Sequence, residues 1–98
     1  MDFKIIWTNE AINNLEEILD YLHTNWSQRE INHFKNILSK QISLIQQFPK
    51  MFPVSEYNKD LRKAVLSKQT TLFYKIQENK IYLIYLFINY KNIKRIQN

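Results

Sequence analysis

The side chains that could do chemistry in this chain are mostly cationic, and they are unevenly spread. Residues 58–98 carry nine basic side chains (Lys59, Arg62, Lys63, Lys68, Lys75, Lys80, Lys91, Lys94 and Arg95) against two acidic ones, Asp60 and Glu78. Residues 1–57 carry five basic and seven acidic. Ammonium and guanidinium groups gathered in one part of a small domain attract phosphates or an acidic protein segment. Other reactive groups are few. Glu16, Glu17 and Asp20 have helical spacing that could suit a metal, but no His partner completes the set, so they read as a solvated helix face. His23 and His33 read as helix-surface residues, and Tyr74, Tyr82 and Tyr85 as packing groups rather than acids or bases. Cysteine is absent, which excludes a disulfide framework and a thiolate metal site. Glycine is absent too, which excludes enzymes built on Gly-rich phosphate loops. Nothing in the sequence calls for a metal or a cofactor.

The 98 residues suit a single domain, 1–98, in the α+β class. Phe3 to Trp7 reads as a short first strand. Thr8 can cap a helix, with Trp7 and Ile12 at the spacing of a hydrophobic staple. Ala11, Leu15, Ile18 and Leu22 then recur at helical steps, with Ile12 and Leu19 beside them. Ser27-Gln28-Arg29-Glu30 fits a capping box for a second helix, whose apolar positions Ile31, Phe34, Leu38, Ile42, Ile45 and Phe48 run to Pro49. A connection of about three residues makes the two helices antiparallel neighbours. Residues 49–60 hold both prolines and read as a loop. Three strands follow, at about 61–67, 70–77 and 80–89, with a tight Glu78-Asn79 turn in which Asn79 would take the positive φ. Ile81 to Ile88 is apolar throughout. Such a strand needs cover on both faces, and the helical hairpin can supply only one. No apolar run approaches the roughly 20 residues of a membrane span, and the start has no signal-peptide layout. The expectation is a soluble cytoplasmic protein.

This order, a strand, two helices and three strands with a basic last third, resembles the RelE/ParE superfamily of toxins from bacterial type II toxin–antitoxin pairs. The resemblance spans nearly the whole chain. Trp7 and Ala11 open the first helix. Leu15-Glu16-Glu17-Ile18-Leu19-Asp20-Tyr21-Leu22 looks like the D-L-x-x-I-x-x-Y-I run of ParE-like members. Phe48-Pro49 closes the second helix, Leu61-Arg62 opens the second strand, Leu72 to Ile76 fills the third, and Phe87-Ile88-Asn89-Tyr90-Lys91-Asn92 resembles the end of the fourth. The implied fold is β-α-α-β-β-β, a long antiparallel helical hairpin on a mostly antiparallel twisted sheet.

Two activities are implied by that resemblance. RelE-like members cut messenger RNA on the ribosome, whereas ParE-like members poison DNA gyrase without cleavage chemistry of their own. A metal-free ribonuclease must deprotonate a 2′-hydroxyl, protonate the leaving oxygen and neutralise the phosphate. Here Arg62 fills one basic position of the middle strands, but Ala64 and Thr71 stand where two more are expected. Lys91 stands for the Arg after the last strand, and Tyr90 is differently placed from the family's acid. The set is incomplete, and with the long hairpin this favours the ParE-like branch, a binding toxin associated with plasmid stabilisation. Arg62, Lys91, Lys94 and Arg95 are then the expected target contacts, with DNA gyrase the target. If the chain were a nuclease, Arg62, Lys91 and Tyr90 would carry catalysis, and the ribosome and its message would be the partners. The bland alternative for Arg62 is an ion pair with Asp60 or Glu56. A cognate antitoxin is expected to lay an apolar, acidic segment over the sheet and helical hairpin, meeting Leu83, Tyr85, Phe87, Lys63 and Lys75. A further alternative is a non-toxic module that only binds the antitoxin.

Overall fold

A computed structural model describes residues 3–89. The elements run in the order β1 (Lys4–Trp7), α1 (Asn9–Asn25), α2 (Gln28–Gln47), β2 (Arg62–Val65), β3 (Thr70–Gln77) and β4 (Lys80–Ile88). The four strands form one sheet in the order β1-β4-β3-β2. β1 lies parallel to β4, and the other two pairings are antiparallel.

Both helices begin where local chemistry supplies a cap. The Thr8 hydroxyl accepts the Ala11 N–H at 3.2 Å. The Ser27 hydroxyl accepts the Glu30 N–H at 3.3 Å while the Glu30 carboxylate accepts the Ser27 N–H at 3.1 Å, a complete capping box. Each cap satisfies a backbone donor that the first helical turn leaves free, and such a cap contributes about 1 kcal/mol. The helices are joined by Trp26 and Ser27 alone.

The helices share one core with the inner face of the sheet. Ala11, Ile18 and Leu22 of α1 and Ile31, Phe34, Leu38 and Ile45 of α2 meet Ala64, Leu72, Tyr74, Ile81, Leu83 and Leu86 of the strands. The expected stripes hold, with two corrections. Ile12 and Phe48 are exposed: Ile12 lies about a quarter-turn round the helix from the buried Ala11, and Phe48 is the C-cap, past the last helical residue Gln47. The Glu78-Asn79 turn is also resolved differently. Positive φ falls on Glu78, at 57°, and not on Asn79. Gln77 pairs with Lys80 across it, so Glu78 is the first central residue, the position that carries positive φ in a II′ hairpin.

β4 contains a bulge. The register passes from Phe73↔Tyr85 to Tyr74↔Leu83, leaving Ile84 without a partner on β3. One extra residue reverses the in–out alternation beyond it. Ile81, Leu83 and Leu86 are therefore buried on the inner face, while Tyr82, Tyr85 and Phe87 share the other face. Backbone groups of β4 on either side of the bulge find side-chain partners at the N-cap of α1 and on α1 itself. The Thr8 hydroxyl donates its one proton to the carbonyls of Leu83 (2.7 Å) and Ile84 (3.1 Å), and the Leu86 N–H donates to Asn14 Oδ1 at 3.0 Å. Among the described residues, no helix is long and apolar enough to cross a membrane.

Candidate functional site

The sheet's outer face is the surface that the helices leave uncovered. Strand pairing places Lys63 opposite Phe73, Phe73 opposite Tyr85, Val65 and Phe87 on either side of Thr71, and Lys75 opposite Tyr82. Phe73 and Tyr85 stack at 4.6 Å between centroids and 25° between planes. Val65 is 57% and Phe87 53% exposed. At the far end of the face Lys4 stands opposite Lys80. The result is an aromatic and aliphatic belt bordered by ammonium groups. Stacked rings at an open face are preorganised anchors, since holding them costs little further entropy when a partner arrives.

Of the residues expected to meet an antitoxin, Tyr85, Phe87, Lys63 and Lys75 do lie together on this face. Leu83 does not. It is fully buried in the core, because the bulge at Ile84 sends it inward while Tyr85 and Phe87 point outward. Phe73 and Val65 belong to the face but were not singled out from the sequence, and Tyr82, expected as a packing group, lies on it too. Alternation along β3 from Lys75 would have found Phe73. Lys63 is partly neutralised by Glu56, with Nζ and Oε1 at 3.5 Å.

Arg62 starts β2 and turns toward the loop at residues 49–61 instead of into solvent. Its Nη1 donates to the carbonyls of Phe52 (2.7 Å) and Lys50 (3.4 Å). It forms no ion pair with Asp60 or Glu56, because Glu56 goes to Lys63. Beside Arg62, the buried Tyr74 hydroxyl donates to the carbonyl of Pro49 at 2.5 Å, and its ring meets Phe52 edge-on at 6.1 Å. Burial pushes the Tyr74 phenol up to about 12, with the Arg62 cation opposing the shift. Tyr74 is thus a neutral hydrogen-bond donor and not a general base. The loop it secures runs back along β2: the Lys63 N–H donates to the Pro53 carbonyl at 3.0 Å, and the Ser55 N–H to the Leu61 carbonyl at 2.7 Å. Those bonds cover the sheet edge that β2 would otherwise expose.

The two positions where a nuclease would need further cations are unsuited to phosphate. Ala64 is fully buried in the core, and Thr71 is half-buried on the outer face. His23 and His33 are exposed on the helices, as are Glu16, Glu17 and Asp20. Tyr90, Lys91, Lys94 and Arg95 lie outside the described residues.

A family model described as the ParE toxin of the type II toxin–antitoxin system, parDE, matches residues 5–89. No curated protein matches the chain. Several solved structures are similar to it. The chromosomal ParDE toxin–antitoxin system from P. aeruginosa aligns with TM-score 0.74 and 16% identity, over 88% of this chain and 95% of that one. The E. coli DinJ–YafQ toxin–antitoxin complex gives TM-score 0.63 and 12% identity, over 93% and 97%. The toxin–antitoxin complex RelBE2 from Mycobacterium tuberculosis gives 0.58 and 12%, over 91% and 100%. At these identities the likeness establishes a shared fold, the α+β architecture of two helices on a four-stranded, mostly antiparallel sheet.

Proposed function

The chain belongs to the family of ParE toxins of type II toxin–antitoxin systems, and from that premise we propose that it acts by grip: it inhibits growth by binding and poisoning DNA gyrase, and a cognate antitoxin neutralises it by covering the outer face of the sheet. The observation that carries the antitoxin reading is the uncovered belt of Val65, Phe73, Tyr85 and Phe87 with Lys63 and Lys75 beside it. An apolar segment carrying carboxylates matches it. Apolar burial supplies the affinity, and the lysines raise the association rate and set the register.

The target reading rests on the basic groups. Arg62, Lys91, Lys94 and Arg95 are the proposed target contacts. Binding is favoured over ribonuclease chemistry by the middle strands. Arg62 has one guanidinium nitrogen committed to loop carbonyls, Ala64 is inside the core, and the buried Tyr74 holds its proton too tightly to exchange it near neutral pH.

The test is expression of the chain with and without its neighbour-encoded partner, followed by inspection of DNA and ribosome-bound message. The expected outcome is growth arrest with double-strand DNA breaks and intact message, relieved by the partner, together with trapped cleavage complexes when the purified chain is added to gyrase and plasmid. Cut message with undamaged DNA would transfer the proposal to the ribosome. Absence of both growth arrest and partner binding would end it.

A further inference from the structure

We infer that the pocket between the linked ends of the two helices and the β2–β3 turn binds a small phenolic amine. The ring sits among apolar side chains, the hydroxyl on Gln69 and Thr70, and the ammonium on Glu30. The pocket encloses about 220 Å³. An apolar cavity of about 150 Å³ takes benzene, so this one has room for a ring with a short side chain. Leu22, Phe34, Ile37 and Ile88 supply its apolar walls. Leu22 and Phe34 are buried and Glu30 is exposed, so the apolar part lies deep and the carboxylate stands at the rim.

Two observations choose this ligand chemistry. The first is a pair of free hydrogen-bonding groups. Gln69 is 9% and Thr70 3% exposed, and both line the pocket. The Ser67 hydroxyl donates to Gln69 Oε1 at 3.1 Å and accepts the Gln69 N–H at 3.2 Å, which fixes the carboxamide. Gln69 Nε2 and the Thr70 hydroxyl have no partner among the described residues, and neither is sealed from solvent. Polar groups this deep are normally paired. A phenol suits both, since its oxygen accepts from Gln69 Nε2 and its O–H donates to Thr70 Oγ1. The second observation is charge. The chain carries 14 Lys and Arg against 9 Asp and Glu, yet neither Lys nor Arg lines this pocket. Glu30 does. Its Oε1 is taken by the Ser27 cap, and its Oε2 makes no bond among the described residues. A carboxylate at the rim repels an anion and accepts from an ammonium. The pocket shares no lining residue with the outer-face belt or with the loop that Arg62 holds, so this inference and the gyrase reading can fail separately.

The experiment is an NMR titration of the full, isotope-labelled chain with tyramine, following the Gln69 side-chain amide and the backbone amides of Thr70 and Ile88. A saturable shift at those groups is expected, with a Kd of about 0.1–1 mM for a ligand of about ten non-hydrogen atoms. Phenethylamine lacks the hydroxyl, and para-hydroxyphenylpropionate carries a carboxylate in place of the ammonium. Each should bind about tenfold more weakly. Thr70→Val keeps the side chain's shape and should remove most of the gap between tyramine and phenethylamine. Glu30→Gln keeps an acceptor for the Ser27 N–H and should bring tyramine down to the level of para-ethylphenol, which has no charge. Lys40→Ala, on the exposed side of α2, should behave as the parent, and thermal melting checks that each variant folds. Absence of a saturable shift at about ten times the expected Kd overturns the site. So does equal binding of tyramine and phenethylamine, indifference to both Thr70→Val and Glu30→Gln, or a shift centred on Tyr85 and Phe87. A blocked lysyl-tyrosine peptide that binds more tightly than tyramine would make the occupant a partner's side chains and overturn the assignment to a free amine.

Discussion

Arg62 and Tyr74 are register partners on β2 and β3, and each commits a donor to one loop. Arg62 Nη1 reaches the Phe52 carbonyl at 2.7 Å, and Tyr74 Oη reaches the Pro49 carbonyl at 2.5 Å. The pair ties the chain's irregular middle to the sheet. Each group also acts on the other, since the Arg62 cation tempers the upward shift that burial gives the Tyr74 phenol.

Alkaline stability should report that relationship. An ordinary tyrosine ionises near 10, and Tyr74 is held up to about 12 in the fold. Its contribution is complete below about pH 10. It is lost as pH rises from about 10 to about 12, because the unfolded chain then releases a proton that the folded chain keeps. Denaturant titrations across that range should show falling stability in the parent and a weaker dependence in Tyr74→Phe. At neutral pH the same variant should be about 1 kcal/mol less stable, from the lost bond to Pro49.

Arg62→Ala should loosen the loop before it unfolds the domain. Amide exchange at residues 50–55 is expected to speed up while exchange in β4 keeps its rate, with a stability cost of about 1–3 kcal/mol. Arg62→Lys should recover little of this, because a single ammonium on a flexible stem does not reproduce the planar fork. Equal exchange rates in parent and variant would show the loop to be held by its backbone bonds alone.

Leu83 and Phe87 should separate folding from docking. Leu83→Ala removes a fully buried side chain and should cost about 2–5 kcal/mol. Phe87→Ala removes a ring that is already 53% exposed and should leave stability within about 0.5 kcal/mol. Antitoxin affinity, measured by calorimetry on the folded variants, should fall more than about tenfold for Phe87→Ala, the loss typical of an aromatic anchor. Phe73→Ala should resemble Phe87→Ala in binding, since it removes the ring that Tyr85 stacks on. Undiminished affinity in both would move the docking surface off this face.

Thr8 has two duties, and its removal should reveal both. The hydroxyl caps α1 and satisfies the carbonyls of Leu83 and Ile84 beside the bulge. Thr8→Ala should cost about 2 kcal/mol, the sum of a cap and a lost hydrogen bond. At this chain length that lowers Tm by about 8–16 °C. Thr8→Ser should restore most of it, whereas Thr8→Val, equal in shape, should not.

Much of this architecture was legible from local rules. Thr8, Ser27 and Glu30 announced two helix starts, Pro49 announced an end, and the apolar steps from Ala11 to Ile45 located the buried faces. Those signals survive because a cap or a helical stripe is made by residues a few positions apart. The strand order of the sheet, with β1 parallel to β4 at its edge, had no such signal. Nor did the division of labour within Ile81 to Ile88. A continuous apolar run carries no alternation to read, so Leu83, Tyr85 and Phe87 looked equivalent until the bulge at Ile84 turned one inward and two outward. Arg62 is the same lesson in a charged residue. Its type promised an anion or a carboxylate partner, yet its guanidinium went to backbone carbonyls ten and twelve positions back. The sequence alone determined which segments would be helix or strand, and that a cationic C-terminal part would be carried on them. Only the tertiary structure decided which side chains remain available to a partner, because a one-residue shift in strand register exchanges the faces of a sheet, and that shift is set by contacts between segments far apart in the chain.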